Sequence, residues 1–118
     1  MGTPGDDRIF GTPGDDVIVG LAGNDSIYSY GGNDTICGGD GIEVIYGGDG
    51  TDFIDGGAGD DRVIGDAGND DVRGGSGIDR VFGGDGDDRV DGGLQTDYCY
   101  GGLGTNAFVA CEIFPAGR

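Results

Sequence analysis

The chain has 118 residues, enough for one domain, and sets six arginines, no lysine and no histidine against 23 acidic residues, a net charge of −17. That balance makes nucleic acid a poor partner, because affinity for it rests on neutralising phosphates with Lys and Arg, and no apolar run approaches the roughly 20 residues of a membrane span. The lack of histidine removes Ser-His-Asp and Cys-His catalysis, and with 35% hydrophobic residues against 31 Gly and 3 Pro the chain would read as disordered but for one feature.

That feature is a nine-residue period running without a break through twelve copies from Gly2 to Val109. It opens on Gly2-Thr3-Pro4-Gly5-Asp6-Asp7-Arg8-Ile9-Phe10 and reaches its plainest form in Gly56-Gly57-Ala58-Gly59-Asp60-Asp61-Arg62-Val63-Ile64. The pattern is Gly-Gly-x-Gly-x-Asp-x-U-x, with U a large apolar residue. In chain order the sixth position reads Asp7, Asp16, Asp25, Asp34, Glu43, Asp52, Asp61, Asp70, Asp79, Asp88, Asp97 and Asn106. The eighth reads Ile9, Ile18, Ile27, Ile36, Ile45, Ile54, Val63, Val72, Val81, Val90, Cys99 and Phe108.

Each copy predicts a turn and then a strand. Its first six positions are rich in Gly, Asp and Asn, residues that accept positive φ and build turns. Its last three, such as Ser26-Ile27-Tyr28, send the middle side chain one way and its flanks the other. Turn, strand, turn and strand use two copies and return the chain to its starting side, so twelve copies wind into about six coils. The expected fold is all-β: a coiled stack of two parallel sheets, odd copies in one and even copies in the other. Eighth-position side chains meet between the sheets. Such a core is thin, and the closely packed acids repel one another unless a counter-ion neutralises them.

Stacked strands lie about 4.7–4.9 Å apart, twice a calcium–oxygen distance of roughly 2.4 Å. An ion between two stacked turns therefore matches the backbone spacing. Sixth-position carboxylates of copies n and n+2 reach it from either side, and turn carbonyls complete its shell. Magnesium demands tight octahedral geometry and zinc prefers His and Cys, so calcium is the expected ion.

In this pattern the chain resembles the repeats-in-toxin family of secreted bacterial proteins, the hemolysin-type calcium-binding repeats, over residues 2–109. The nonapeptide and its calcium are themselves a standard example of a β-helix repeat, so the ion is not an independent derivation. The resemblance implies a non-catalytic, calcium-dependent folding module of a secreted protein, with a right-handed parallel β-roll over 2–109 and a capping tail over 110–118. It implies metal ligands at Asp7, Asp16, Asp25, Asp34, Glu43, Asp52, Asp61, Asp70, Asp79, Asp88 and Asp97. It also implies carbonyl ligands at second and fourth positions, notably Gly39, Gly41, Gly48, Gly50, Gly57, Gly59, Gly75, Gly77, Gly84 and Gly86. One ion per gap on two edges gives a ceiling of about ten calcium ions. Several copies depart from the pattern, among them those in which Ser29-Tyr30 replaces two glycines, Glu43 is a methylene longer, Gln95 replaces a turn glycine and Asn106 loses the charge. Further acids at the third position (Asp40, Asp49, Asp85) and the fifth (Asp6, Asp15, Asp60, Asp87) are expected as solvated turn residues.

Beyond Val109 the pattern dissolves, and Ile113 and Phe114 are expected to cover the open apolar end. Cys99, at an inward position, is close enough along the chain to reach Cys111; a disulfide would pin the cap, and two buried thiols packing as small hydrophobes is the other arrangement. Cys37, roughly 19 Å away at strand spacing, is expected as a lone outward thiol. Cysteine usage and calcium both suit an extracellular setting. No leader pattern precedes the first copy, which is consistent with a leader or upstream domain in a longer precursor.

Ninth positions separate the two outer faces. Odd copies give Phe10, Tyr28, Tyr46, Ile64, Phe82 and Tyr100, an apolar ladder; even copies give Val19, Cys37, Asp55, Arg73, Asp91 and Val109. The ladder is either strand-stabilising stacking or a contact surface for self-association or domain packing, rimmed by Arg62 and Arg80. Two other readings stay open: an adhesion module holding a protein or glycan on that face, and the non-catalytic C-terminal part of a secreted hydrolase. The Gly102-x-Gly104-x-x-Ala107 match to a dinucleotide fingerprint has no helix to follow it and carries nothing.

Overall fold

The computed structural model describes residues 2–93, 97–102, 104–109 and 111–114, with backbone alone for 112–114. Gln95 and the side chains of Ile113 and Phe114, with the lid expected of them, lie outside the described residues. Every copy of the period ends in a three-residue strand. One sheet stacks β1 (Arg8–Phe10), β3 (Ser26–Tyr28), β5 (Val44–Tyr46), β7 (Arg62–Ile64), β9 (Arg80–Phe82), β11 (Tyr98–Tyr100) and β13 (Glu112–Phe114). The other stacks β2 (Val17–Val19), β4 (Thr35–Cys37), β6 (Phe53–Asp55), β8 (Asp71–Arg73), β10 (Arg89–Asp91) and β12 (Ala107–Val109). All pairings are parallel and keep one register, Ile27 on Ile45 and Ile36 on Ile54, so each position of a copy stacks on the same position two copies on. The result is the expected all-β, two-sheet parallel solenoid.

The core is the single column that the sequence provides. Ile18, Ile27, Ile36, Ile45, Ile54, Val63, Val72, Val81, Val90 and Cys99 are buried between the sheets, and Ile9 and Phe108 half-close its two ends. Burying one such aliphatic side chain contributes about 1.5–3 kcal/mol, a small return for ordering nine residues. The hydrogen-bond ladder extends past the strands on both sides: Gly65 N donates to Phe82 O at 2.8 Å and Arg80 N to Asp61 O at 2.8 Å. The turns are therefore stacked as tightly as the strands.

From the third copy on, the second and fourth positions described hold positive φ, 91° at Gly57 and 103° at Gly59, whereas Thr3, Gly5, Thr12 and Gly14 in the first coil do not. Leu21, Tyr30 and Asp66 take the second-position conformation at φ 71°, 71° and 70° without being glycine, a strain of about 1 kcal/mol or more each.

The tail adds a strand. After Val109 the chain returns to the odd sheet without another glycine-rich turn, and Tyr98, Cys99 and Tyr100 pair with Glu112, Ile113 and Phe114. A disulfide joins Cys99 to Cys111, with Cα atoms 5.7 Å apart. Cys37 is free and exposed, as its outward position requires.

Candidate metal centres

The turns bury carboxylates instead of presenting them to water. Asp25, Asp34, Glu43, Asp52, Asp61, Asp70, Asp79, Asp88 and Asp97 are each at most 3% exposed, while Asp7 and Asp16 in the first coil are half-buried. Stacking explains how one oxygen of each aspartate is held. Asp52 Oδ1 accepts from Asp34 N, Asp70 Oδ1 from Asp52 N and Asp88 Oδ1 from Asp70 N, each at 2.8 Å. On the other edge Asp79 Oδ1 accepts from Asp61 N and Asp97 Oδ1 from Asp79 N, each at 2.7 Å.

The second oxygen has no such partner. Oδ2 of Asp25, Asp52, Asp61, Asp70, Asp79, Asp88 and Asp97, and both carboxylate oxygens of Glu43, are buried without a hydrogen bond. Leaving even one buried polar group unpaired costs about 1–3 kcal/mol, and more for a charged one.

The first-position glycines show where these oxygens aim. Gly56, Gly65 and Gly74 do not hold positive φ, so conformation does not demand glycine there. Space does. A Cβ added to Gly65 would lie 2.7 Å from Asp70 Oδ2 and 2.8 Å from the Gly83 carbonyl oxygen; at Gly74 it would lie 2.6 Å from Asp79 Oδ2 and 2.7 Å from Gly92 O. A carboxylate of one coil and a carbonyl of the next thus share a small cradle that no side chain fills. The sequence reading named second- and fourth-position carbonyls and missed these first-position ones. The signal was available, in a glycine kept where the turn needs no positive φ. The carbonyls of Gly39, Gly57, Gly41 and Gly59 do face the next coil, crowding the positions where Gly57, Gly75, Gly59 and Gly77 would carry a Cβ.

Burial dominates the electrostatics of these carboxyls. It pushes the Asp70 carboxyl up to about 8, Asp52 and Asp79 to about 7 and Asp88 to about 6, with backbone N–H donors opposing the rise and neighbouring carboxylates adding to it. Burial likewise raises Asp25, Asp97 and the adjacent pair Glu43 and Asp61. Ionised acids in this arrangement need positive charge brought to them.

Among the described residues no three Asp, Glu, His or Cys side chains gather into one cluster. The donors form ladders instead, one carboxylate per turn with carbonyl oxygens beside it. An all-oxygen set of this kind fits a hard cation that accepts many oxygens, calcium above all. A family model describing the RTX calcium-binding nonapeptide repeat in four copies matches residues 1–36, 38–72 and 73–107. The chain belongs to this family. No curated protein and no solved structure matches it. RTX repeats bind calcium, and the family is a structural calcium-binding module.

Two other features of this RTX chain repeat from coil to coil. Fifth-position acids are exposed, as expected of solvated turn residues, and also accept from the next coil: Asn24 N donates to Asp6 Oδ1 at 2.7 Å, Ile78 N to Asp60 at 2.9 Å and Thr105 N to Asp87 at 2.8 Å. The prevalence of Asp and Asn at that position was the sequence signal, since these side chains readily bond neighbouring backbone. In the aromatic ladder the rings stack on one another, Phe10 on Tyr28 at 5.5 Å, Tyr28 on Tyr46 at 5.1 Å and Phe82 on Tyr100 at 4.6 Å between centroids. Interplanar angles of 14° or less spend the ring faces on each other instead of offering them to a sugar, and Ile64 interrupts the row. On the even face Arg73 lies over Phe53 and pairs with Asp71, which also meets Arg89.

Proposed function

We propose that this chain is a calcium-dependent folding module of a secreted bacterial protein, ordered by ions held between its stacked turns. The observation that carries the reading is the set of eight buried carboxylates with an oxygen that no protein group satisfies. Asp25, Glu43, Asp52, Asp61, Asp70, Asp79, Asp88 and Asp97 would hold the ions with that oxygen. Carbonyls of the first-position glycines and those at Gly39, Gly41, Gly48, Gly50, Gly57, Gly59, Gly75, Gly77, Gly84 and Gly86 are the candidates to complete the shells. Bound calcium supplies the counter-charge and ties each coil to the next.

Without calcium, a folded chain must either hold ionised acids against one another or protonate them well above their ordinary pKa, and one aliphatic side chain per copy does not offset that cost together with chain entropy. With it, metal affinity becomes folding energy. Millimolar calcium and stable disulfides outside the cell supply both conditions, so the module folds after export. The test is a calorimetric calcium titration run beside far-UV circular dichroism. Binding and β-structure should saturate together; no heat of binding at millimolar calcium, or full β-structure before any ion binds, would overturn the reading.

A further inference from the structure

Three carboxylates are missing from the set with an open oxygen, and the reason lies in the residues that depart from the glycine pattern. Asp34 is 1% exposed, like its neighbours, yet its Oδ2 is satisfied: Ser29 Oγ, itself fully buried, donates to it, while Asp34 Oδ1 accepts from Asp16 N at 2.7 Å. Ser29 stands at the first position, where the later even copies carry Gly47, Gly65 and Gly83. Its side chain occupies the cradle that those glycines leave open.

In the first coil the same closure comes from the second position. Thr12 Oγ1 donates to Asp16 at 2.9 Å and Thr12 N to Asp16 Oδ2 at 2.7 Å. Thr3 Oγ1 donates to Asp7 at 2.8 Å, and Gly5 N and Gly14 N each donate back to their threonine hydroxyls at 3.2 Å. Where Asp52 or Asp70 leaves an oxygen for a cation, these three aspartates have hydroxyl and amide protons on it.

We infer that Thr3, Thr12 and Ser29 close the turns of Asp7, Asp16 and Asp34 in place of a cation, so that calcium is taken up only at the eight open carboxylates. The inference rests on the proposed calcium reading and divides the solenoid. Its first coil and the next turn on the even edge are held by protein protons, and cation binding begins at Asp25 on the odd edge and at Asp52 on the even edge.

Native mass spectrometry of the full chain in calcium counts the ions. Ser29→Gly restores the open cradle beside Asp34 and should bind one calcium more than the unaltered chain, whereas Ser29→Ala, which keeps a Cβ in the cradle, should gain none. Asp34→Asn should leave the unaltered chain's count unchanged, a readout that does not depend on Ser29→Gly folding. An unchanged count in folded Ser29→Gly, or one ion lost in Asp34→Asn, overturns the inference while leaving the calcium reading intact. A parent chain that binds no calcium defeats the calcium reading itself, and this inference with it.

Discussion

Replacing Asp70 by Asn should change stability in opposite directions with and without calcium. Asp70 Oδ1 accepts from Asp52 N at 2.8 Å, a bond that an Asn oxygen keeps. Its Oδ2 is buried and unpartnered, in the cradle that it shares with the Gly83 carbonyl, toward which an Asn amide can donate. Burial raises the Asp70 carboxyl from 3.8 to about 8, so at pH 7 the metal-free fold holds it protonated. Protonating it about 3 pH units above its unfolded pKa costs roughly 4 kcal/mol, which Asn avoids. In chelator, Asp70→Asn should therefore fold at a lower concentration of trimethylamine N-oxide than the parent, with about 4 kcal/mol as the upper limit of the gain. In saturating calcium the variant loses a ligand charge and should bind at that turn at least tenfold more weakly, about 1.4 kcal/mol or more. Circular dichroism through osmolyte and urea titrations reads both arms. Equal destabilisation in both conditions would refute the reasoning, because it would make Asp70 a hydrogen-bond acceptor and nothing else.

The pH dependence should reverse in the same way. Carboxyls raised above their unfolded values stabilise the metal-free fold below the unfolded pKa and lose that effect as pH rises through about 6 to 8. In chelator, β-structure should thus increase on acidification from pH 9 to pH 5, while in limiting calcium acid should release ions and lower stability, since ligands bind deprotonated; parallel pH titrations by circular dichroism compare the two. Gly74→Ala puts a Cβ 2.6 Å from Asp79 Oδ2 and 2.7 Å from Gly92 O, and should lose about 1–3 kcal/mol in calcium urea melts. Gly14→Ala, whose Cβ meets nothing closer than Thr12 Oγ1 at 3.7 Å, should stay within about 0.5 kcal/mol of the parent. Cys111→Ser opens the loop closed with Cys99, a sequence separation of 12, and should cost about 3 kcal/mol in the same melts.

The solenoid was legible because its period carries both turn chemistry and strand alternation. Ile27, Ile36, Ile45 and Ile54 fall at one position of successive copies, and that position can face only inward. The tail strand Glu112–Phe114 was not, since the chain returns to the odd sheet after Val109 without the glycine-rich turn that announces every other strand. The sixth-position acids were legible as a row, but not the sharing of each carboxylate between a backbone N–H and an open oxygen. That division depends on the coil stacking below it, which no single copy contains. Ser29 read as a lost glycine for the same reason. Its hydroxyl acquires meaning only once Asp34 Oδ2 is known to need a donor.

Small-angle X-ray scattering of the full chain, at low ionic strength with excess chelator and again in millimolar calcium, tests the central claim most directly. The folded chain has a Cα radius of gyration of 12.6 Å, and a value close to it is expected in calcium. In chelator at neutral pH the radius should approach about 35 Å, that of an unfolded chain of this length. A compact particle of unchanged radius in chelator would contradict the account, because the buried acids would then be tolerated without any cation.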